Sequence, residues 1–426
     1  MARTIKNFDK LVTTENRRLV LEIAEAGFDA INTQEVILNF VKLENNILFI
    51  KDEKFDLNNF KKIKVVGFGK ASCDAAIALE KVLGHKINEG AVIGLKKVTC
   101  EYTETFSGTH PRPSDVNIEA GKKIYNIVNE SNEDDLIIVL VSGGGSALLC
   151  YPESECRQGR ELYDIFLKCG QTITEINTIR KHLSLLKGGG LVKLAYPSTV
   201  IGLIFSDIPG DRYQDVASGP TYKDETTIHQ AETIIHEHKL GNFDLLETPK
   251  DNKYFEKVHN FVLVSNKTAV YAMEQKSKEL GLDAKIISTE LYEEVDQALD
   301  MIFKEKKDNT VILAAGEPKL EVTKKGGSGG RNLFMGLRTI SKNLIDADSV
   351  FIPLASDGMD NSDSAGAIID NNTIQNIEKL NINLDDYMDR FDAYPIFEKS
   401  GDMIITGATG ANVSDLMILL TKKNNE

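Results

Sequence analysis

The sequence has few cysteines, and none of them is spaced for a metal or disulfide site. Its five cysteines, among 426 residues, form no C-x-x-C pair and no His-rich spacing. This pattern supports neither a zinc site nor a disulfide framework. We therefore predict free thiols in a reducing compartment.

Long apolar runs and surplus positive charge are also missing. No apolar run approaches the ~18 residues of a membrane span, and the first residues are charged rather than a hydrophobic leader, which predicts a cytoplasmic protein with no membrane partner. The 50 Lys and Arg are outnumbered by 64 Asp and Glu, giving a net charge of −14, which argues against nucleic acid binding. A small anionic ligand held by local cations remains compatible with this charge.

What the chain does have is a repeated unit, a short apolar run ending in Gly, Ser or Asp followed by a helix-length stretch. Continuous Val/Ile/Leu runs are typical of strands buried on both faces, and they predict an α/β fold with parallel sheets. The runs are 63–68, 91–95, 136–141, 200–205, 261–264, 284–287, 311–314 and 350–354.

The length predicts two or three domains. A polar stretch at 247–253 separates two groups of runs. We expect two lobes, a Rossmann-like parallel-sheet domain over 1–245 and an α/β lobe over 246–426. The default expectation is an active site in the cleft between them.

A serine- and glycine-rich turn directly follows the third run. Three adjacent glycines let the backbone approach a ligand, while two hydroxyls and the N–H groups of a following helix offer donors to an anion. We predict that this turn binds the phosphates of a nucleotide; a tight turn without a ligand is the alternative. The residues are Ser142, Gly143, Gly144, Gly145 and Ser146.

Two cations are the strongest candidates for chemistry. Lys70 follows the first run in a Gly-Phe-Gly-Lys turn, where an ammonium can face a carboxylate or a phosphate. This turn is not a Walker A loop and is only a weak dinucleotide fingerprint. Arg331 follows a glycine-rich loop of flexible composition, and its guanidinium can bind a carboxylate or stabilise a moving phosphoryl group. The alternatives are a surface lysine and an arginine that anchors its own loop.

Polar residues after other runs complete the candidate site, because ligands of open α/β sheets bind beyond the carboxyl ends of strands. Asp207 and Asp211 are the predicted Mg²⁺ ligands, and one acid could accept the proton of a substrate hydroxyl. Asp360 is a further candidate, although helix capping and Asx turns explain such aspartates equally well. Additional nucleotide contacts are predicted at Asn266, Glu317 and Asp357.

Two other segments carry basic side chains. His110 lies in a loop with two prolines, and either orients substrate or is a hydrogen-bonded structural histidine. The stretch 177–190 predicts a cationic helix closed by a glycine C-cap. Its Arg180, Lys181 and Lys187 either meet an acidic ligand or remain solvated.

Nine segments in this order resemble the class II glycerate 2-kinases, whose second lobe carries the MOFRL domain. The similarity covers nearly the whole chain, and several segments are long enough to be specific. They are GFGKA at 67–71, GTHP at 108–111, SGGGSAL at 142–148, EINTIRKHLS at 175–184, SDIPGD at 206–211, ASGPT at 217–221, GGRN at 329–332, SDGMD at 356–360 and TGANVSDL at 409–416.

The resemblance implies a kinase that uses ATP and Mg²⁺ to phosphorylate D-glycerate at its 2-hydroxyl, giving 2-phosphoglycerate. It implies a MOFRL domain at about 310–420, small-molecule partners and a monomer or homodimer. Lys70, Arg331 and Asp207 are then the predicted catalytic residues, and Ser142 and His110 join the two cations in binding substrate.

Two other functions stay open. An NAD(P)H-dependent hydroxypyruvate reductase would use the turn around Lys70 for its cofactor, and members of the family have often carried that label. A non-catalytic metabolite-binding protein would show no turnover. The chain also departs from the family pattern, with Leu333-Phe334 in place of the usual Gln-Glu and Asn361 in place of Gly.

Overall fold

The computed structural model describes residues 3–169, 172–210, 212–323 and 326–423, and the side chains of all these except 166–169 and 173. Within these residues there are sixteen α-helices, namely α1 (Phe8–Leu11), α2 (Glu15–Ala30), α3 (Thr33–Phe40), α4 (Ser72–Leu83), α5 (Asp115–Asn129), α6 (Gly145–Leu148), α7 (Glu153–Cys169), α8 (Ile173–Leu183), α9 (Gly190–Ala195), α10 (Ile228–Glu237), α11 (Asn266–Glu279), α12 (Val295–Lys304), α13 (Arg331–Ser341), α14 (Asn371–Lys379), α15 (Leu384–Asp389) and α16 (Tyr394–Ser400).

The same residues form fifteen strands. These are β1 (Val41–Glu44), β2 (Ile47–Ile50), β3 (Glu53–Asp56), β4 (Lys62–Phe68), β5 (Ile87–Gly94), β6 (Glu104–Ser107), β7 (Asp135–Ser142), β8 (Thr199–Phe205), β9 (Val258–Val264), β10 (Asp283–Leu291), β11 (Thr310–Gly316), β12 (Ser349–Ala355), β13 (Gly366–Ala367), β14 (Met403–Ile404) and β15 (Asp415–Thr421).

The first compact unit, Thr33–Leu263, is built on a six-stranded sheet of order β6-β5-β4-β7-β8-β9, and a small antiparallel sheet β1-β2-β3 belongs to the same unit. β4 pairs in parallel with both β5 and β7. Every residue of β7 is buried, as expected for a strand covered on both faces. The direction of strand addition reverses between β4 and β7, which makes this pair the topological switch point where such sheets bind ligands.

The second compact unit joins the residues up to Asn32 to those from Val264 onward, around a mixed sheet of order β10-β11-β15-β12-β13-β14. β10 and β11 are parallel, whereas β15 runs antiparallel between β11 and β12. The first residue of β15, Asp415, therefore lies between Gly316 and Ala355, the last residues of its two neighbours.

The compact units differ from the predicted lobes at both ends of the first one. Residues up to Asn32 pack with the second unit, because α2 lies against α11 and Arg17 forms buried ion pairs with Asp370 and Asp402. The first unit extends to residue 263, past the predicted boundary at 245, because β9 is the sixth strand of the first sheet. The spacing of apolar residues in the sequence indicates neither the packing of the first 32 residues with the second unit nor the extension of the first unit to 263.

All eight apolar runs form strands, so the predicted α/β class is confirmed. The prediction of parallel sheets is correct for the β5-β4-β7-β8 core of the first sheet but wrong for the second, which is mixed. The cause is β15, a fully buried strand that pairs antiparallel with β11 and β12. This strand was not among the eight predicted runs. Among the described residues, no helix is both long and apolar enough to cross a membrane.

The prediction of free cysteines is wrong for one pair. Cys150 and Cys156 are joined as a disulfide, with 5.4 Å between their Cα atoms. Their separation of six residues matches none of the spacings that indicate a disulfide framework in sequence, and the fold brings them together at the start of α7. Cys73 and Cys100 are free thiols, and the side chain of Cys169 lies outside the described residues.

Candidate active site

The turns that follow β4 and β7 form the centre of the candidate site. The two strands end side by side, with Phe68 opposite Val141. Lys70 donates its backbone N–H to the carbonyl of Gly143 (2.9 Å), and Ala71 donates its N–H to Ser142 Oγ (3.1 Å). The predicted ligand-binding hydroxyl of Ser142 is thus buried and joins the two turns.

Each glycine of the Ser142–Ser146 turn is required by a different neighbour. A side chain on Gly143 would overlap the carboxylate of Asp207. Gly144 has φ +77° and faces Lys70 and His110, each 3.2 Å from where its Cβ would lie. A Cβ on Gly145 would be 2.6 Å from that of Ala217. A simple turn needs one glycine, so three mark a place where several groups approach the backbone closely.

Asp207 follows β8, and its carboxylate lies against Gly143. Burial raises the pKa of this carboxyl group, and the positive charge of Lys70 opposes the rise. The structure therefore brings three parts of the predicted site together, namely Lys70, Asp207 and the glycine turn. An ammonium and a carboxylate beside a glycine turn suit a reaction in which negative charge moves.

Replacing Asp207 by Asn is expected to stabilise the protein at pH 8 while lowering kcat at least about tenfold. Because the pKa is raised in the folded state, the ionised carboxylate costs stability above that pKa, and this cost disappears as the pH falls towards the pKa of the unfolded chain. Urea unfolding at pH 8 and pH 4 measures the difference. The control is Asp164→Asn, which makes the same change at an exposed aspartate. Equal stability of wild type and Asp207→Asn at both pH values would contradict the assignment.

His110 lies in the loop between β6 and α5, with its ring against Gly144 and Lys70. The residue keeps an exposed edge, yet the atoms packed around the ring and the charges of Lys70 and Arg180 lower its pKa to about 4. At neutral pH the ring is uncharged and can donate or accept one hydrogen bond. It is thus suited to orienting a substrate rather than to neutralising one.

Arg180 on α8 joins this group, although its sequence context did not distinguish it from Lys181 and Lys187. Its charge acts on His110, and burial lowers the pKa of its guanidinium to about 10. Among the described residues no carboxylate lies within 4 Å of it, and its Nη1 donates a long hydrogen bond to Asn177 Oδ1 (3.4 Å). A partly buried cation that has no carboxylate partner among the described residues is a feature that only the fold reveals.

The other two cations of this stretch are already neutralised. Lys181 is 3.2 Å from both Asp215 and Asp224, and buried Lys187 pairs with buried Glu155. The predicted glycine C-cap is wrong, because α8 ends at Leu183 with an extended Ser184, and the glycines begin α9 instead.

In the second unit, Arg331 is the first residue of α13. Its Nε donates to Asp415 Oδ2 at 2.5 Å, and the charge of Glu317 also acts on it. Burial raises the pKa of Asp415, and Arg331 opposes the rise. The guanidinium is about one-third exposed, so part of it faces away from this ion pair.

Asp360 caps the helix that Arg331 begins. Its carboxylate accepts the backbone N–H groups of Gly330, Asn332 and Leu333 at 2.7–3.2 Å. Burial nevertheless raises its pKa to about 6. Of the two roles left open for Asp360, the structure shows the capping one.

Three predicted nucleotide contacts lie in the second unit, two of them after strand ends and one at the start of α11. Asn266 begins α11 and is buried, and its Oδ1 has no hydrogen-bond partner among the described residues. Glu317 follows β11 and is exposed. Asp357 follows β12, and its carboxylate accepts the N–H of Met359 in an Asx turn.

The positions that depart from the family pattern have structural explanations. Leu333 is fully buried in the core of the second unit, and Phe334 stacks on Phe391 with 5.4 Å between ring centroids. Apolar packing thus replaces whatever polar contacts Gln-Glu would make. Asn361 has φ +48°, a left-handed conformation that glycine adopts readily and asparagine tolerates.

The described part of the glycine-rich loop before Arg331, residues 326–330, is tied to its surroundings. Gly327 donates to the carbonyl of Arg390, and Ser328 donates to Asp392 Oδ1, both at 2.8 Å. The composition that predicted flexibility therefore also permits close backbone contacts.

Asp211, one of the two predicted metal ligands, lies outside the described residues. Within the part of the chain that the structure does describe, no group of three or more His, Cys, Asp or Glu side chains could hold a metal ion. Mg²⁺ often takes only one or two carboxylates and completes its shell with substrate phosphates and water. A lone carboxylate such as Asp207 beside a glycine turn fits that second arrangement.

Comparison with known proteins gives two family matches. Residues 19–247 match a domain of unknown function, DUF4147, and residues 310–415 match the MOFRL family. A D-glycerate 2-kinase of Thermotoga maritima is 32% identical over 92% of this chain and 99% of its own length. The chain belongs to the glycerate 2-kinase family.

Other members of the family support the same assignment. A glycerate 2-kinase of Pyrococcus horikoshii is 29% identical over 96% of this chain and 98% of its own length. A crystal structure of a Thermotoga maritima glycerate kinase superposes with a TM-score of 0.83 at 28% identity, covering 95% of this chain and 99% of that one. The predicted family and fold class are thereby confirmed.

Proposed function

We propose that this protein transfers a phosphoryl group from ATP to the 2-hydroxyl of D-glycerate, giving 2-phosphoglycerate and ADP. The observation that carries the proposal is the meeting of Lys70, Asp207 and the Ser142–Ser146 turn at the switch point of the first sheet. The names of the relatives, glycerate 2-kinase and D-glycerate 2-kinase, support this substrate.

In this proposal the residues act through position and charge. The backbone N–H groups of the glycine turn face the phosphates of ATP, and Lys70 neutralises charge on the moving phosphoryl group. Asp207 either accepts the proton of the glycerate hydroxyl or is the carboxylate that Mg²⁺ contacts. The metal, when bound with ATP, would draw negative charge from the phosphate oxygens.

The roles of residues in the second unit remain predictions from the sequence. Arg331 is proposed to bind the substrate carboxylate or the moving phosphoryl group, through the part of its guanidinium that Asp415 does not occupy. Asn266, Glu317 and Asp357 are proposed to contact the nucleotide. The orphaned Oδ1 of buried Asn266 supports its assignment, since a buried acceptor without a donor is costly unless a ligand supplies one.

The direct test incubates the protein with MgATP and D-glycerate and identifies the product by phosphorus NMR. We expect 2-phosphoglycerate. Formation of 3-phosphoglycerate would keep the kinase and contradict the regiochemistry. Hydroxypyruvate with NADH or NADPH is run in parallel, and oxidation of the cofactor without phosphorylation would favour the reductase instead.

A further inference from the structure

A pocket in the first unit borders the glycine turn at Ser146, and its other lining side chains have no role in the proposed mechanism. Its walls include Pro111 and Pro113 from the His110 loop, Ser146 and Ala147 from α6, and Arg180 and Leu183 from α8. Four of these six residues are apolar. The pocket therefore offers a guanidinium and a hydroxyl beside these apolar side chains.

The charges around the pocket leave one cation uncompensated. Lys187 and Glu155 also line it, but they neutralise one another in a buried ion pair. Arg180 has no carboxylate within 4 Å among the residues described, and Nη1 makes its long bond to the amide oxygen of Asn177. The local balance is thus a single positive charge, which an incoming monoanion would compensate.

The chemistry of the walls distinguishes a small carboxylate from a triphosphate. A guanidinium presents a planar fork that matches a carboxylate, and in the described part of the chain the Nε and Nη2 of Arg180 make no hydrogen bond that would block it. Apolar walls also suit a short carbon chain better than phosphates, which need many donors.

We propose that Arg180 binds the carboxylate of the small hydroxy acid substrate, in the pocket between α6, α8 and the His110 loop. The proposal rests on the proposed kinase function and makes it more specific. Lys70 then neutralises charge on the phosphoryl group. The hydroxyl of Ser146, whose Oγ lies 2.8 Å from Ser218 Oγ, is a second contact for the carboxylate, after the guanidinium of Arg180.

Kinetics of Arg180→Gln test this assignment. We expect the KM for D-glycerate to rise at least about 30-fold, the scale of a lost charge-assisted bidentate contact, while the KM for ATP changes less than about threefold. Arg180→Lys should recover part of the loss. The control is Arg212→Gln, which removes the same charge from a half-exposed arginine paired with Asp215, and its glycerate KM should stay at the wild-type value.

Thermal unfolding separates this role from a structural one. Because Arg180 is a desolvated cation without a carboxylate partner, Arg180→Gln should leave the Tm unchanged or raise it. A lower Tm with both KM values unchanged would overturn the proposal, and so would a rise in the ATP KM alone.

Binding measurements keep the proposal testable if the kinase assignment fails. Calorimetric titration of the wild type and Arg180→Gln with D-glycerate, and with glycerol as the analogue lacking the carboxylate, needs no turnover. Glycerate binding that is lost in Arg180→Gln supports the carboxylate site whatever the reaction. Equal glycerate binding by both proteins overturns it, even if the wild type proves to be a kinase.

Discussion

Lys70→Ala is expected to lower kcat/KM for D-glycerate at least about 100-fold while the protein stays folded, on the scale of a lost electrostatic contact to a transition state. The turn itself should survive, because its bond to Gly143 comes from the backbone N–H of residue 70, which alanine keeps. What alanine removes is the ammonium that acts on Asp207 and His110. The loss should therefore appear in kcat more than in KM for ATP.

The matched control is Lys62→Ala. Lys62 is an exposed residue that begins β4, the strand whose other end leads to Lys70. Lys62→Ala removes the same charge at the opposite end of β4 and should leave kcat/KM at the wild-type value. A loss below about tenfold in Lys70→Ala, with an unchanged circular dichroism spectrum, would contradict a catalytic role.

Arg331→Ala would test the same chemistry less directly. Its removal would leave the carboxylate of Asp415, which is buried, without its cation. An uncompensated buried charge destabilises a protein by itself, so a lower activity in Arg331→Ala would have two causes. Arg331→Lys keeps the charge and is the better variant for measuring the effect of the guanidinium fork.

The fold could be predicted wherever burial on both faces of a strand leaves a continuous apolar run. The runs that became β4, β7, β8 and β11 are of this kind, and each has at most one residue that is not buried. The pairing of α2 with α11 could not be predicted in the same way. Helix α2 shows an amphipathic face, but nothing local indicates that its partner lies more than 200 residues away.

The candidate site was predictable to the extent that chemistry depends on residue type. Lys70 and Asp207 follow strands, and the switch-point rule places such residues together. Arg180 was not predictable beyond its charge, because its significance comes from the lack of a neighbouring carboxylate in the part of the chain that the structure describes. The capping role of Asp360 was one of two readings, and only the hydrogen bonds to α13 decide between them.

Gly143→Ala is expected to abolish most activity, by about 100-fold or more, and to lower the free energy of unfolding by roughly 1–3 kcal/mol, as overpacking does. Gly143 is not among the glycines with positive φ, so alanine can adopt the backbone conformation. The cost is steric, because the new Cβ would overlap the carboxylate of Asp207 and lie 2.7 Å from its Cβ. The carboxylate must then move away from Lys70.

Gly159→Ala is the matched control, since it adds the same methyl group within α7 of the same unit, where no atom lies within 4 Å of the new Cβ. We expect it to gain about 0.5–1 kcal/mol of stability, as glycine replacement within a helix does. Because Gly159 lines the pocket beside Arg180, this variant is a control for stability only. Equal stability of Gly143→Ala and wild type in urea unfolding would show that the turn can yield.

Combining Gly143→Ala with Asp207→Ala separates the steric effect from the chemical one. The double variant removes the side chain that the new methyl group meets, so its stability should exceed that of Gly143→Ala alone, a coupling of the kind that neighbouring residues show. Activity should not return, because the carboxylate is absent. Recovery of activity in the double variant would mean that Asp207 is dispensable and that the glycine turn alone supports catalysis.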